Sequence, residues 1–125
     1  TDVTLVGMSY TSVVCQKAAE QLAESGIDAE VIDMMSLSPF DEDILIESVA
    51  KTNNVVIVDE DTPRASMSSE FAAIIADKAF DHLDSPVKRV TSPHSPVPYN
   101  SALEQAFMPQ PEDIVQTVRG MLGRD

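Results

Sequence analysis

A short charged run holds most of the residues that could do chemistry: Asp59-Glu60-Asp61, followed by Thr62-Pro63-Arg64. Carboxylates are the ligands that Mg²⁺ prefers in proteins. These three acids are adjacent, however, and adjacent side chains on an extended backbone point in alternating directions, so they do not converge on one ion. A magnesium site would need a further carboxylate, and Asp33 at the end of a neighbouring predicted strand is the candidate that stays open.

Arg64 is the only basic residue between Lys51 and Lys78. A guanidinium group can bind a carboxylate through two parallel hydrogen bonds. Two interpretations therefore stand side by side. Arg64 either pairs with the acids of its own loop or contacts a neighbouring domain or subunit, and one loop could do both.

Other chemistries find less support in the sequence. The four glycines are scattered, which argues against a phosphate-binding loop. His82 and His94 have no partner at metal-ligand spacing, and no G-x-S-x-G motif is present. Cys15 is the only cysteine, so an internal disulfide is excluded, and we predict a small buried hydrophobe on a helix. No catalytic, cofactor-binding or metal-binding residue is assigned.

Composition predicts one globular domain over residues 1–125, because 43% of the residues are hydrophobic and no apolar run has membrane-spanning length. The chain has 21 acidic and 8 basic residues, for a net charge of −13. That charge disfavours nucleic acid and anionic membranes as partners. It permits a basic protein partner, and it equally fits a well-solvated surface. The lone thiol and the lack of a signal-like opening segment predict a cytoplasmic location.

The charged run follows Val55–Val58, four β-branched residues without polar alternation. This pattern is typical of a strand covered on both faces in a parallel sheet. The charged loop should therefore lie at the carboxyl end of a central strand. Upstream, strand Val3–Val6, a helix starting at Thr11 or Ser12, and strand Ala29–Asp33 form a βαβ unit, with Gly26 as a left-handed helix cap.

The remaining elements follow from periodicity and capping signals. A second helix has Ser38 or Asp41 as its cap and turns Ile44, Leu45 and Val49 inward. The longest helix should run from Ser66 to Leu83. The later predictions, in chain order, are an edge strand Val87–Thr91, an extended connection Ser92–Tyr99, a short helix Ser101–Phe107, and a last helix with the buried stripe Ile114, Val115, Val118, Met121 and Leu122.

Taken together, these segments resemble a known family. Thr1–Val6, Ala18–Leu22, Gly26–Asp33 and Ser36–Asp41 are similar to the C-terminal domain of transketolase-like enzymes, as is Val55–Glu60. More narrowly, Thr91–Tyr99 followed by Leu103-Glu104 resembles the beta subunit of 2-oxo acid dehydrogenase E1 components. The loop Asp59–Arg64 with Ser66-Met67 is most similar to the pyruvate and acetoin dehydrogenase type.

The resemblance implies a three-layer α/β/α fold with a mainly parallel sheet, in the strand order second, first, third, fourth. In this family, thiamine diphosphate and Mg²⁺ serve the complete enzyme and depend on a preceding pyrimidine-binding domain. We expect that domain to be absent here, so no cofactor is expected on these residues and the isolated domain should be inactive. Gly7-Met8-Ser9 departs from the family's usual Ser-Tyr-Gly turn, so no function is carried over to it.

The resemblance also implies partners: an E1 alpha subunit, a second E1 beta subunit, and the small basic peripheral domain of the E2 acyltransferase. The candidate subunit-interface residues are Asp59, Glu60, Asp61, Arg64 and Met67, and the candidate E2-docking residues are Arg124 and Asp125. Two other readings stay open. The chain could be the equivalent domain of a transketolase or deoxyxylulose-phosphate synthase, or a stand-alone flavodoxin-like or receiver-like domain that binds a small ligand.

Overall fold

The computed structural model describes residues 2–8, 10–34, 42–59, 67–91 and 109–123, without the side chains of residues 67 and 68. We number the elements in chain order. They are β1 (Val3–Gly7), α1 (Tyr10–Glu24), β2 (Ala29–Asp33), α2 (Glu42–Thr52), β3 (Val55–Asp59), α3 (Met67–Lys78), a 3₁₀ turn (Phe80–His82), β4 (Lys88–Thr91) and α4 (Pro111–Leu122).

The four strands form one parallel sheet in the order β2-β1-β3-β4, which confirms the predicted order. Thr4 lies beside Val55 and Leu5 beside Val56, so β1 and β3 are direct neighbours. Every residue of β3 is buried. The continuous run of β-branched residues thus forms an inner strand covered on both faces, as the sequence predicts.

Two hydrophobic clusters, one on each face of the sheet, complete the three layers. On one face, Val14, Cys15, Ala18 and Leu22 of α1 pack with Ile114 and Val118 of α4 against β1 and β3. On the other face, Leu45 and Val49 of α2 and Phe71 and Ile75 of α3 pack against the same strands. Full burial of one such large side chain contributes about 1.5–3 kcal/mol. The predicted three-layer α/β/α architecture is confirmed.

The first helix begins slightly earlier than predicted. It starts at Tyr10, so Thr11 lies inside the first turn and does not precede the helix. Thr11 Oγ1 accepts a hydrogen bond of 2.7 Å from the N–H of Met8, which stabilises the chain entering the helix. At the other end, Gly26 has a φ of 78°, and this confirms the predicted left-handed conformation.

The predicted inward face of the second helix is wrong at one position. Leu45 and Val49 are buried, but Ile44 is 39% exposed, and Ser48 is buried instead. The reason is a polar contact under α2, where the hydroxyls of Ser48 and Thr52 lie 2.8 and 2.7 Å from Thr4 Oγ1. Because these groups are paired, burying them costs little.

The prediction of one long helix over 66–83 is also wrong. Helix α3 ends at Lys78, the 3₁₀ turn follows, and α1 is longer, with 15 residues. The segment that follows α3 is bound by Asn53, in the turn between α2 and β3. Asn53 Nδ2 donates to the carbonyl of His82 at 2.6 Å, and the Asn53 carbonyl accepts from the N–H of Asp84 at 2.8 Å. These contacts hold the chain in a path that a continued helix would not follow.

The last elements agree with prediction where the structure describes them. Lys88 and Arg89 of β4 are exposed, as expected of an edge strand. In α4, Ile114 and Val118 are buried, and the other three stripe residues pack half-buried against the same cluster. The helix-cap predictions at Ser38 and Asp41, the extended connection and the short helix over 101–107 lie outside the described residues. Among the described helices, none is long and apolar enough to cross a membrane.

Candidate subunit-contact site at the carboxyl edge of the sheet

Parallel strands end on the same side of a sheet, and we call this side the carboxyl edge. It contains Gly7 at the end of β1, Asp33 at the end of β2 and Asp59 at the end of β3. Gly7 and Asp33 are register partners across the two strands. In open α/β sheets this edge is where ligands and working loops are found, so the candidate site is built here.

Gly7 determines where α1 can start. A Cβ atom at this position would lie 2.6 Å from both the Cα and the backbone nitrogen of Ser12. Real Cβ atoms do not approach backbone that closely, so only glycine allows the end of β1 to pass this close to the first turn of the helix. No function was carried over to Gly7 from the sequence, and this close contact was missed.

Hydrogen bonds then attach the first turn of α1 to β2 and to Met8, which follows β1. Ser12 Oγ donates to Asp33 Oδ2 at 3.1 Å, and Thr11 Oγ1 donates to the carbonyl of Met8 at 3.1 Å. A carboxylate beside the amino end of a helix is also stabilised by the helix dipole. The Asp33 carboxylate is therefore part of the link between α1 and β2.

Cys15 lies on the buried side of α1 and has no exposed surface. Burial, and secondarily the negative charge of Asp33, raise the pKa of the Cys15 thiol from 9.0 to about 12. A thiol with so high a pKa is not a nucleophile near neutral pH. The prediction of a small buried hydrophobe is confirmed.

The predicted interface residues are only partly covered by the structure. Asp59 ends β3 and is 5% exposed, and Met67 is the first residue of α3. Buried as it is, the Asp59 side chain has little surface to offer a partner. Five further predicted site residues lie outside the described residues: Glu60, Asp61, Arg64, Arg124 and Asp125.

The magnesium hypothesis can be tested on the part of the chain that the structure describes. Asp33 and Asp59 end strands that are separated by β1, which places their backbones about 10 Å apart at ordinary strand spacing. Ligands of Mg²⁺ lie about 2 Å from the ion. No group of three or more His, Cys, Asp or Glu residues that could hold a metal ion occurs among the described residues.

An exposed apolar surface is the feature that the sequence analysis did not find. Tyr10 is 48% exposed and Val13 is 51% exposed. They lie one turn apart at the start of α1, directly after β1, and so beside the carboxyl edge; we call them the α1 patch. The available signal was their helical spacing outside the buried stripe of Val14, Ala18 and Leu22. Phe80, 69% exposed, lies at the opposite edge of the sheet, before β4.

A four-stranded parallel sheet covered by helices on both faces defines a three-layer α/β domain. Residues 1–114 match the model of the family described as "Transketolase, C-terminal domain". The chain belongs to this family.

Individual proteins that are similar to the chain show which kind of enzyme it resembles. The chain is 48% identical over 122 residues to the acetoin:2,6-dichlorophenolindophenol oxidoreductase subunit beta of Bacillus subtilis (strain 168), covering 98% of this chain and 36% of that protein. It is 39% identical over 124 residues to the mitochondrial pyruvate dehydrogenase E1 component subunit beta of Dictyostelium discoideum, covering 99% and 35%. It is 36% identical over 119 residues to the 2-oxoisovalerate dehydrogenase subunit beta of Bacillus subtilis, covering 94% and 36%.

These relatives are beta subunits of 2-oxo acid and acetoin dehydrogenases, and the resemblance found in the sequence is confirmed. The chain spans about a third of the length of each relative. The activities of the complete relatives can therefore only be proposed for this chain.

Proposed function

We propose that this chain is the C-terminal assembly domain of the beta subunit of a pyruvate, acetoin or branched-chain 2-oxo acid dehydrogenase E1 component. The observation that carries the proposal is the identity of 36–48% to such subunits over nearly the whole chain. In the complete enzyme, thiamine diphosphate and Mg²⁺ would supply the decarboxylation chemistry from other parts of the protein. This domain would bind an E1 alpha subunit and a second E1 beta subunit.

The carboxyl edge supports an assembly role on physical grounds. Exposed large apolar side chains that lie close together mark surfaces where proteins bind each other. The α1 patch is such a surface, and β2 and β3 end at the same edge. Glu60, Asp61 and Arg64 follow β3 in the sequence, so we keep them, with Met67, as candidate interface residues, and we leave out Asp59 because it is buried.

Charge placed in the α1 patch should weaken subunit association. We expect the double substitution Tyr10→Asp and Val13→Asp in the complete beta subunit to weaken its binding to the alpha subunit by at least about tenfold, because Tyr is among the residues that dominate binding at interface centres and a charge buried there without a partner is costly. Analytical ultracentrifugation of mixed subunits would measure the change. Since both side chains are about half exposed in the chain alone, the fold should survive.

The control is Phe80→Asp, which changes an even more exposed apolar side chain at the opposite edge of the sheet. It should leave association unchanged while altering charge and hydropathy in the same sense. If Phe80→Asp weakens assembly as much as the double substitution, or if the double variant assembles normally, the carboxyl edge is not the assembly surface.

A second contact of the proposed complex is the basic peripheral domain of E2. Helix α4 ends in a left-handed Gly123, with a φ of 67°, whose N–H caps the carbonyl of Arg119. Arg124 and Asp125 follow this cap, so replacing them leaves the helix and its half-buried last turn in place. The net charge of −13 favours approach of a basic partner.

We expect Asp125→Ala to weaken binding of the E2 domain about fivefold, mainly by slowing association, because it removes a negative charge that would attract the basic partner and rim charges act chiefly on the association rate. Surface plasmon resonance at two salt concentrations would measure it, and added salt should shrink the difference. Glu70→Ala, at an exposed position on α3, is the control. Equal affinities of the parent and Asp125→Ala at low salt would place the E2 site elsewhere.

A further inference from the structure

An open groove of about 540 Å³ lies between the edge strand β4 and the last helix α4, away from the carboxyl-edge site. Ser85, Lys88 and Arg89 line it on the strand side, and Gln116, Thr117 and Gly120 line it on the helix side. Gly120 leaves part of this space empty, because a Cβ atom there would meet nothing within 4 Å. The groove is large enough for a short stretch of a second polypeptide.

The groove follows the outer edge of β4. Lys88 and Arg89 are adjacent in the strand, so their side chains point to opposite faces of the sheet. A groove that both residues line must therefore open at the edge between the two faces. On its other side β4 pairs with β3, in the register Val56 to Lys88. Among the described strands none pairs with the outer side, and an open strand edge is a template for an added strand.

The charge of the groove is opposite to that of the chain. Its eight described lining residues include two of the chain's 8 basic residues and no carboxylate, within a chain of net charge −13. Arg89 Nη1 donates to Ser69 Oγ at 2.7 Å, which holds the guanidinium on the α3 side of the sheet. Lys88 lies on the α4 side. A basic strip along a strand edge favours an acidic occupant.

We propose that this groove binds an extended acidic segment of a partner protein, which adds to β4 as a further strand. Adjacent residues of an added strand also alternate between the two faces. Two consecutive acidic residues would then lie beside Lys88 on one face and Arg89 on the other, at the spacing of cross-strand pairs. The stretch 92–108 of this chain carries a single carboxylate, Glu104, so the charge pattern favours a partner's segment over this one.

Fluorescence anisotropy with the chain and a labelled octapeptide would test the proposal. The probe has alternating threonine and valine with Glu-Asp at its centre, and the comparison peptide has Lys-Lys at the same positions. We expect saturable binding of the acidic peptide and at least tenfold weaker binding of the basic one. Lys88→Glu should weaken acidic binding about fivefold, since it replaces an attractive pair by a repulsive one.

Two further variants make the outcome decisive. Gly120→Tyr fills the groove from an exposed position on the helix and should reduce binding at least tenfold without unfolding the chain. Lys17→Glu makes the same charge change at an exposed position on α1 and should leave binding within twofold. The proposal is overturned if the acidic peptide does not bind, as it would not if stretch 92–108 filled the groove. It is also overturned if both peptides bind alike. A further contrary outcome is that sedimentation shows two copies of the chain pairing and Lys88→Glu abolishes only that pairing.

Discussion

Raising the pH from 9 to 12 should lower the free energy of unfolding by about 3 kcal/mol through Cys15 alone. The pKa of this thiol is about 12 in the folded chain, against 9.0 ordinarily, because burial and the charge of Asp33 disfavour the thiolate. Between these two pH values the unfolded chain loses the proton and the folded chain keeps it. The unfolded state is therefore favoured as pH rises, and below pH 9 the stability contribution is fully present.

Urea unfolding of the parent and of Cys15→Ala between pH 8 and 11 would measure this effect. Lysines and tyrosines also titrate in this range, so the difference between the two proteins isolates Cys15. The alanine variant should be less stable near neutral pH, since it leaves a small cavity in the buried cluster that contains Cys15, and it should lose less stability as the pH rises. Parallel pH profiles for the two proteins would show that the thiol is not held protonated by burial.

Gly7→Ala should lower the free energy of unfolding by about 2–3 kcal/mol, at the upper end of what overpacking by one methyl group costs. The added Cβ would lie 2.6 Å from the backbone of Ser12, and backbone in the first turn of a helix cannot move aside as a flexible side chain can. The displacement should also disturb the hydrogen bond from Ser12 to Asp33. Thermal and urea unfolding would give the change in stability.

Gly120→Ala is the matched control, because it makes the same substitution inside α4 where a Cβ meets nothing within 4 Å. Alanine is the better helix former by about 0.8–1 kcal/mol, so this variant should gain stability. Opposite signs for the two substitutions would support the contact at Gly7. A Gly7→Ala chain as stable as the parent would mean that β1 and α1 separate at little cost.

The sequence predicted where the residues of the candidate site lie in the chain, but it did not predict which of them are buried. The chain position of Asp59 at the end of a buried strand follows from Val55–Val58, and the structure confirms it. Its burial does not follow, because burial depends on what the neighbouring helices cover. The α1 patch was missed for the same reason. Helical spacing puts Tyr10 and Val13 off the buried stripe, but only the packed helices show that nothing among the described residues covers them.

The sequence by itself determined the elements that depend on local pattern: the inner strand, the glycine at the end of α1, the buried stripe of α4, and through the family motifs the order of the strands. The tertiary structure decided what depends on distant partners. Ser48 is buried and Ile44 exposed because Thr4, on another element, offers a hydroxyl. Helix α3 stops at Lys78 because Asn53 binds the following turn. Such contacts join residues more than twenty-five positions apart, and no local window of the sequence contains both partners.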